Sequence, residues 1–286
     1  MDHATQTPFT TYDGHNLAVF DWPLWGSQRP RAAVLIVHGL GEHAWRYNAL
    51  ATELNDWGFA VRAYDQRGHG DSSGKQGCLP HNDTLLRDLA DVLEDTRTTH
   101  CRRGDVPLIL LGHSMGGLVA ALYTAEQLAL GNPHAVDALV LSSPALDPGL
   151  GALQRALLTL LPPLLPDVTV SNGLDPKLIS HDPAVVQAYL EDPRVHNRLS
   201  PRLARFIADG GPLVLRHAAD WAVPTLLMYA GADGLVDPGG SRRFAAATPP
   251  EVVQAHCFED LYHELFNEAN RFEVLSHLRG WLNERF

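Results

Sequence analysis

Five short segments of this chain are apolar at nearly every position: Ala32–Val37, Phe59–Tyr64, Leu108–Leu111, Ala138–Leu141 and Thr225–Tyr229. A strand with one wet face alternates polar and apolar residues. One that is apolar throughout must be covered on both faces, the situation of a parallel strand inside a helix-flanked sheet. Between these runs, Leu85, Leu86, Leu89, Val92 and Leu93 recur at helical spacing, as do Val274, Leu275, Leu278, Trp281 and Leu282. Strand and helix in alternation give an α/β sheet with helices on both sides. Leu17–Phe20 reads as an outer strand of that sheet, with antiparallel pairing an option. A length of 286 residues suits one large α/β domain.

The alternation stops between about Leu146 and Trp221, where no strand is expected. Proline-punctuated helical pieces replace it: Gly151 to Leu161, a helix opened by Asp182-Pro183 that ends before Asp192-Pro193, and a third from Pro201 to about Gly210. The expected organisation is a sheet core from residues 1–145 and 222–286, with a helical insertion over 146–221. Ligands bind at the carboxyl ends of the strands in open α/β sheets, so an insertion there would be a lid. Its most apolar part is Leu153–Leu165. Two readings stay open for it: a lid that admits an acyl chain or makes transient contact with a membrane or micelle surface, and a helix whose leucines pack on the sheet core.

Charge and cysteines exclude some classes. With 33 acidic against 22 basic side chains the formal net charge is −11, which disfavours nucleic acid as a partner. Cys78, Cys101 and Cys257 are scattered and form neither a disulfide framework nor a metal knuckle, which suits a reduced, cytoplasmic protein. Cys257 is expected as a buried filler of the last strand. No apolar run is long enough to span a bilayer, and the first residues lack the pattern of a secretory signal.

The sharpest motif is Gly112-His113-Ser114-Met115-Gly116, placed where an apolar strand meets the Leu118–Leu130 helix. That is the context of a nucleophile elbow, in which serine sits on a strained strand-to-helix turn and its neighbours must lack side chains. A serine needs a histidine base and an acid to orient it, and in this architecture they follow in the order serine, acid, histidine. Asp233 lies just past the Thr225–Tyr229 strand and is favoured as the acid over Asp237, whose neighbour Pro238 marks it as a helix cap. Of 15 histidines, His263 occupies the loop after a last strand at Val252–Phe258, whereas His256 and His277 fall inside a strand and a helix. The oxyanion donors expected are the backbone N–H groups of Met115 and Leu40, the latter in the loop His38–His43.

Two look-alikes compete. Gly39-Leu40-Gly41-Glu42-His43-Ala44 satisfies a dinucleotide fingerprint, but bulky Glu42 and His43 make a poor phosphate bed. His263-Glu264-Leu265-Phe266-Asn267 falls one histidine short of a zinc motif.

Taken together, His38–His43, Arg46-Tyr47, Asp65–Ser72, Gly112–Gly117, Ser142-Ser143-Pro144 and Tyr262-His263-Glu264 resemble the monoacylglycerol lipase-like branch of the α/β-hydrolase superfamily, also labelled lysophospholipase or serine aminopeptidase-like. The resemblance runs from about residue 9 to the C-terminus. It implies an α/β-hydrolase fold: a mostly parallel eight-stranded sheet with a helical cap between the sixth and seventh strands. It also implies Ser114, Asp233 and His263 as catalytic triad and Leu40 and Met115 as oxyanion donors. Asp65 and Arg67 are expected to fix a loop near the site. The function expected is a serine carboxylic ester hydrolase for monoacylglycerol-like or other single-chain esters, using no metal or organic cofactor. A short-chain carboxylesterase or an amidase on the same triad is the alternative. A non-catalytic ligand receptor of the same fold would be marked by loss of the serine, acid or histidine, and all three are present; a dinucleotide-binding oxidoreductase would leave the elbow and its two partners unexplained.

Overall fold

A computed structural model describes residues 4–24, 26, 28–101, 105–149, 151, 158, 160–162 and 164–286. Its strands are β1 (Thr5–Thr10), β2 (Asn16–Trp22), β3 (Ala33–Val37), β4 (Ala60–Tyr64), β5 (Leu108–His113), β6 (Ala138–Ser142), β7 (Val170–Ser171), β8 (Arg198–Leu199), β9 (Thr225–Ala230) and β10 (Val253–Phe258). The helices named below are α1 (Asn48–Asp56), α2 (Thr84–His100), α3 (Ser114–Ala129), α4 (Pro183–Glu191), α5 (Pro201–Arg216), α6 (Pro238–Ala247) and α7 (Arg271–Arg285).

Eight strands form one sheet in the order β1-β2-β4-β3-β5-β6-β9-β10. All pairings are parallel except those of β2, which runs against both β1 and β4. The all-apolar runs have the expected cause. In β3, Ala33, Leu35 and Val37 enter a core shared with α2, α3 and α5, while Val34 and Ile36 enter a second core shared with α1 and α7. Register brings the carboxyl ends level: Val37 pairs with Gly112, Gly112 with Leu141, and Ala230 with Phe258. The loops after β3, β5, β9 and β10 therefore emerge together at one rim.

Four features depart from the sequence reading. Leu17–Phe20 lies one strand in from the edge, because the exposed segment Thr5–Thr10 supplies the outermost strand; Pro8 is tolerated there as an edge residue. The stretch between β6 and β9 contains a two-residue antiparallel ladder, β7 with β8, too short to leave an alternation in the sequence. The third helical piece continues past Gly210 to Arg216 with Pro212 inside it. A Cβ on Gly211 would run into the Leu146 carbonyl, and one on Gly210 would sit 3.0 Å from the Leu118 methyls. These glycines are contact points against β6's exit and α3, not a stop. Cys257 is half-buried rather than buried, and burial pushes its thiol up.

The Asp-Pro starts are as expected: Asp182 caps α4 at the Ala184 N–H and Asp237 caps α6 at the Gly239 N–H, each with proline in the first turn. Of the expected Gly151–Leu161 helix, residues 152–157 and 159 lie outside the described residues; Leu158, Leu160 and Leu161 are helical.

Candidate active site

Ser114 stands at the junction of β5 and α3 with φ of +53°, a left-handed conformation that non-glycine residues adopt only under tight constraint. The constraint comes from its neighbours. A Cβ on Gly112 would lie 2.5 Å from the Gly116 carbonyl oxygen, and one on Gly116 would run into the carbonyl oxygens of Val37 and His38. On Gly117 it would lie 2.9 Å from the Pro144 ring. Only hydrogen at these positions lets β5, α3 and β3 approach closely enough to lift the serine hydroxyl to the rim.

Asp233 leaves the end of β9 and His263 the loop after β10, and the two meet Ser114 there. His263 Nδ1 lies 2.6 Å from Asp233 Oδ2, and Nε2 lies 2.8 Å from Ser114 Oγ. Asp233 Oδ1 accepts the N–H groups of Leu235 and Val236, both at 2.9 Å. With the carboxylate accepting at Nδ1–H, the Nε2 lone pair faces the serine hydroxyl. Both side chains are buried. Burial alone would lower the His263 pKa, but the Asp233 charge outweighs it and raises the imidazole above its ordinary value. Burial alone would raise the Asp233 carboxyl; His263 and the two N–H groups hold it below the carboxylate range.

The competitors lie elsewhere. Asp237 is occupied as the α6 cap. His256 and His277 stack on each other, ring centroids 3.8 Å apart, where β10 meets α7. Leu40 and Met115 both line the cavity that holds Ser114. Their backbone N–H groups have no hydrogen-bond partner among the described residues, which leaves two donors beside the serine. The cavity has a volume of about 910 Å³; apolar walls come from Ala145, Leu158, Leu161, Ala204, Ile207 and Val236.

The loop after β3 is not a phosphate cradle. The Glu42 carboxylate already takes the Gly39 N–H at 2.6 Å, and a Cβ on Gly41 would run into the His196 carbonyl. An anion would meet a resident negative charge.

Comparisons with known proteins give the family. A family model described as serine aminopeptidase, S33, matches residues 28–270. The chain belongs to this family of α/β-hydrolases. It is 36% identical over 260 residues to a monoacylglycerol lipase of Mycolicibacterium smegmatis, covering 88% of each chain. It is 32% identical over 278 residues to an abhydrolase domain-containing protein of Dictyostelium discoideum, of whose length it spans 28%. The solved structure of a Paleococcus ferrophilus monoacylglycerol lipase superposes with a TM-score of 0.79 at 32% identity, covering 98% of both chains. The chain is thus a hydrolase of monoacylglycerol lipase-like type.

In this S33-family hydrolase the sequence reading missed a group of residues around Ser114, His263 and Asp233. Arg46 donates to both Glu264 oxygens, at 2.6 and 2.7 Å, and to Glu42 at 2.6 Å, and its guanidinium lies 4.8 Å from the centre of the Tyr189 ring on α4. Tyr47 adds a hydrogen bond to Glu42 at 2.7 Å. One cation thereby ties the loop bearing Leu40 to the loop bearing His263. All but Tyr189 sit in the motif fragments. His113, beneath the triad with its ring 4.8 Å from that of His263, is pushed down to about 4 by burial and by that neighbour, and stays neutral. Asp65 does fix a loop: it accepts the N–H groups of Ala44 at 2.7 Å and Asp71 at 2.8 Å. Arg67 pairs with Asp88 and Asp13 behind it.

Proposed function

We propose that this hydrolase cleaves carboxylic esters through a serine acyl-enzyme, with single-chain lipid esters such as monoacylglycerols as substrates. The observation that carries the reading is the relay from Ser114 through His263 to Asp233 at 2.8 and 2.6 Å, set in a largely apolar cavity. As Ser114 Oγ bonds to the ester carbon, its proton passes to His263 Nε2 and the carbonyl electrons move onto oxygen, facing the N–H groups of Leu40 and Met115. Collapse breaks the carbon–alkoxide bond, and the imidazolium returns its proton to the leaving alcohol. Water then gives a proton to His263 Nε2 as its oxygen adds to the acyl carbon; collapse breaks the carbon–Oγ bond, the imidazolium returns the proton to Ser114 Oγ, and the acid leaves. Asp233 holds the ring and balances its transient charge. This chemistry runs on side chains and backbone alone.

The acyl chain belongs against the walls of Leu158, Leu161, Ala204 and Ile207. These residues come from the segment 146–221, which we read as a cap over a core of 1–145 and 222–286. Around it Leu160, Leu164, Leu165, Val168, Val170 and Leu190 expose apolar side chains, a surface suited to transient contact with a membrane or micelle. Among the described residues no helix is long and apolar enough to cross a membrane. The relatives named monoacylglycerol lipase support the same substrate class.

An aminopeptidase would need an unmatched carboxylate for a free α-ammonium group. Of the carboxylates lining the cavity, Glu42 and Glu264 are held by Arg46 and Asp192 by Arg194 and His43, while Asp175 is exposed and accepts the Lys177 N–H as a helix cap. The three carboxylates that carry cationic partners are spent, so an α-ammonium group has only the exposed Asp175 to meet, and the apolar walls favour an ester with an acyl chain. A fluorophosphonate probe tests the nucleophile, and a panel of esters against an aminoacyl-nitroanilide tests the class. Absence of label on Ser114 in the folded protein, or a preference for the anilide, overturns the proposal.

A further inference from the structure

The motif Asp65–Ser72 contributes a residue whose position the ester mechanism leaves unused. Gln66 follows β4 and is fully buried. Its backbone N–H donates to His38 Nε2 at 2.8 Å, and its side-chain amide donates to the His38 carbonyl at 2.6 Å. A backbone N–H can only donate, so Nε2 of His38 must carry the lone pair and Nδ1 the hydrogen. That Nδ1–H faces the Gly39 carbonyl at 2.8 Å. Burial pushes the His38 pKa down to about 4, so the ring stays neutral and its tautomer stays fixed.

The Gly39 carbonyl and the Leu40 N–H belong to one peptide plane. In a trans peptide they point in opposite directions, so anchoring the carbonyl on His38 turns the Leu40 N–H away from that ring. On the other side of Gly39 the Glu42 carboxylate takes its N–H at 2.6 Å. Gly39 is held at both ends while pressed against the nucleophile: a Cβ there would sit 3.2 Å from Ser114 Cβ. The Leu40 N–H, unpartnered among the described residues, is left for the substrate.

We infer that His38 is a positioning residue for the oxyanion hole: locked by Gln66 as the Nδ1–H tautomer, it fixes the Gly39–Leu40 peptide so that the Leu40 N–H meets the developing oxyanion. The inference rests on the reading of Leu40 as an oxyanion donor. It predicts an asymmetry that a merely structural histidine would not give. Asparagine places an amide donor where Nδ1 stands, whereas glutamine places an acceptor where Nε2 stands and provides nothing for the Gly39 carbonyl.

The test compares His38→Asn and His38→Gln on p-nitrophenyl butyrate, beside wild type and Ser114→Ala. Loss of an oxyanion donor lowers kcat by about 10² to 10³. His38→Gln should fall by about 10² in kcat with KM little changed, and should lose affinity for an alkyl trifluoromethyl ketone in parallel. His38→Asn should keep a kcat about tenfold or more above that of His38→Gln at matched melting temperature. Equal kcat values for the two variants, with Ser114→Ala inactive, overturn the role of His38 while leaving the serine mechanism intact. An active Ser114→Ala removes the mechanism itself. Should either variant not fold, nitrogen NMR of the wild-type imidazoles decides: a hydrogen on Nδ1 alone through neutral pH supports the assignment, and one on Nε2 overturns it.

Discussion

The imidazole of His263 and the carboxylate of Asp233 are 2.6 Å apart with both side chains buried, the one on the loop after β10 and the other on the loop after β9. The pairing raises the imidazole pKa and lowers that of the carboxyl, although burial pulls both the other way. In the proposed mechanism His263 must be neutral to accept the serine proton. Hydrolysis should therefore increase as pH rises through a His263 pKa lying above its ordinary 6.5. Asp233→Asn removes the charge that raises it, so the acid limb of kcat/KM should move to lower pH. The same change frees the ring to present Nε2–H to the serine, with kcat down by about 10⁴. An acid limb that stays in place in the variant would show that Asp233 does not set the base.

Gly116 packs against β3 so closely that a Cβ would run into two carbonyl oxygens, Val37 and His38. Backbone cannot swing away as a flexible side chain can. Gly116→Ala should lower the stability of the protein by at least the roughly 1–3 kcal/mol typical of overpacking, read as a fall in the denaturant midpoint. What folds should label slowly with a fluorophosphonate, since His38 and the oxyanion loop move with that contact. Wild-type stability and labelling would mean that the elbow tolerates a side chain.

How far such relationships were legible follows from their range. The strands β3 to β6 and β9 declare themselves because burial on both faces strips them of polar residues, and the elbow does so because its steric demands fall on adjacent positions. The exposed edge strand Thr5–Thr10 buries too little to show a pattern. Gly210-Gly211-Pro212 reads as a helix end by local propensity, and only the neighbours Leu118 and Leu146 explain why the helix runs on. The Arg46–Glu264 pair joins residues 218 positions apart, beyond any periodicity. The gap is one of tertiary contact, not of residue chemistry.

Arg67 is almost fully buried and pairs with the equally buried Asp88 at 2.6 Å and with Asp13 at 2.8 Å. Removing the cation strands the Asp88 charge in the core. Arg67→Leu should cost about 3–5 kcal/mol, whereas replacing Arg67 and Asp88 together by leucine should recover much of that loss, because no unmatched charge remains in the core and Asp13, its side chain 27% exposed, is left to water. Denaturant unfolding of the single and double variants measures it. A double variant no more stable than the single one would mean that shape, rather than charge, governs the site.

Ile207 on α5 lines the cavity and is 8% exposed. If an acyl chain lies along this wall, a tryptophan there takes its space while Ser114, His263 and Asp233 are left unsubstituted. Ile207→Trp should leave acetate ester hydrolysis within a few-fold of wild type. Each methylene barred from the wall forfeits about 0.8 kcal/mol of binding, so a chain shortened by two loses about tenfold or more in kcat/KM. The ratio of long-chain to acetate kcat/KM should thus fall by at least that factor, with fluorophosphonate labelling of Ser114 retained as the check on folding. A ratio that does not move would place the acyl chain elsewhere in the cavity, against Leu158, Leu161 or the polar wall at Asn172 and Asn197.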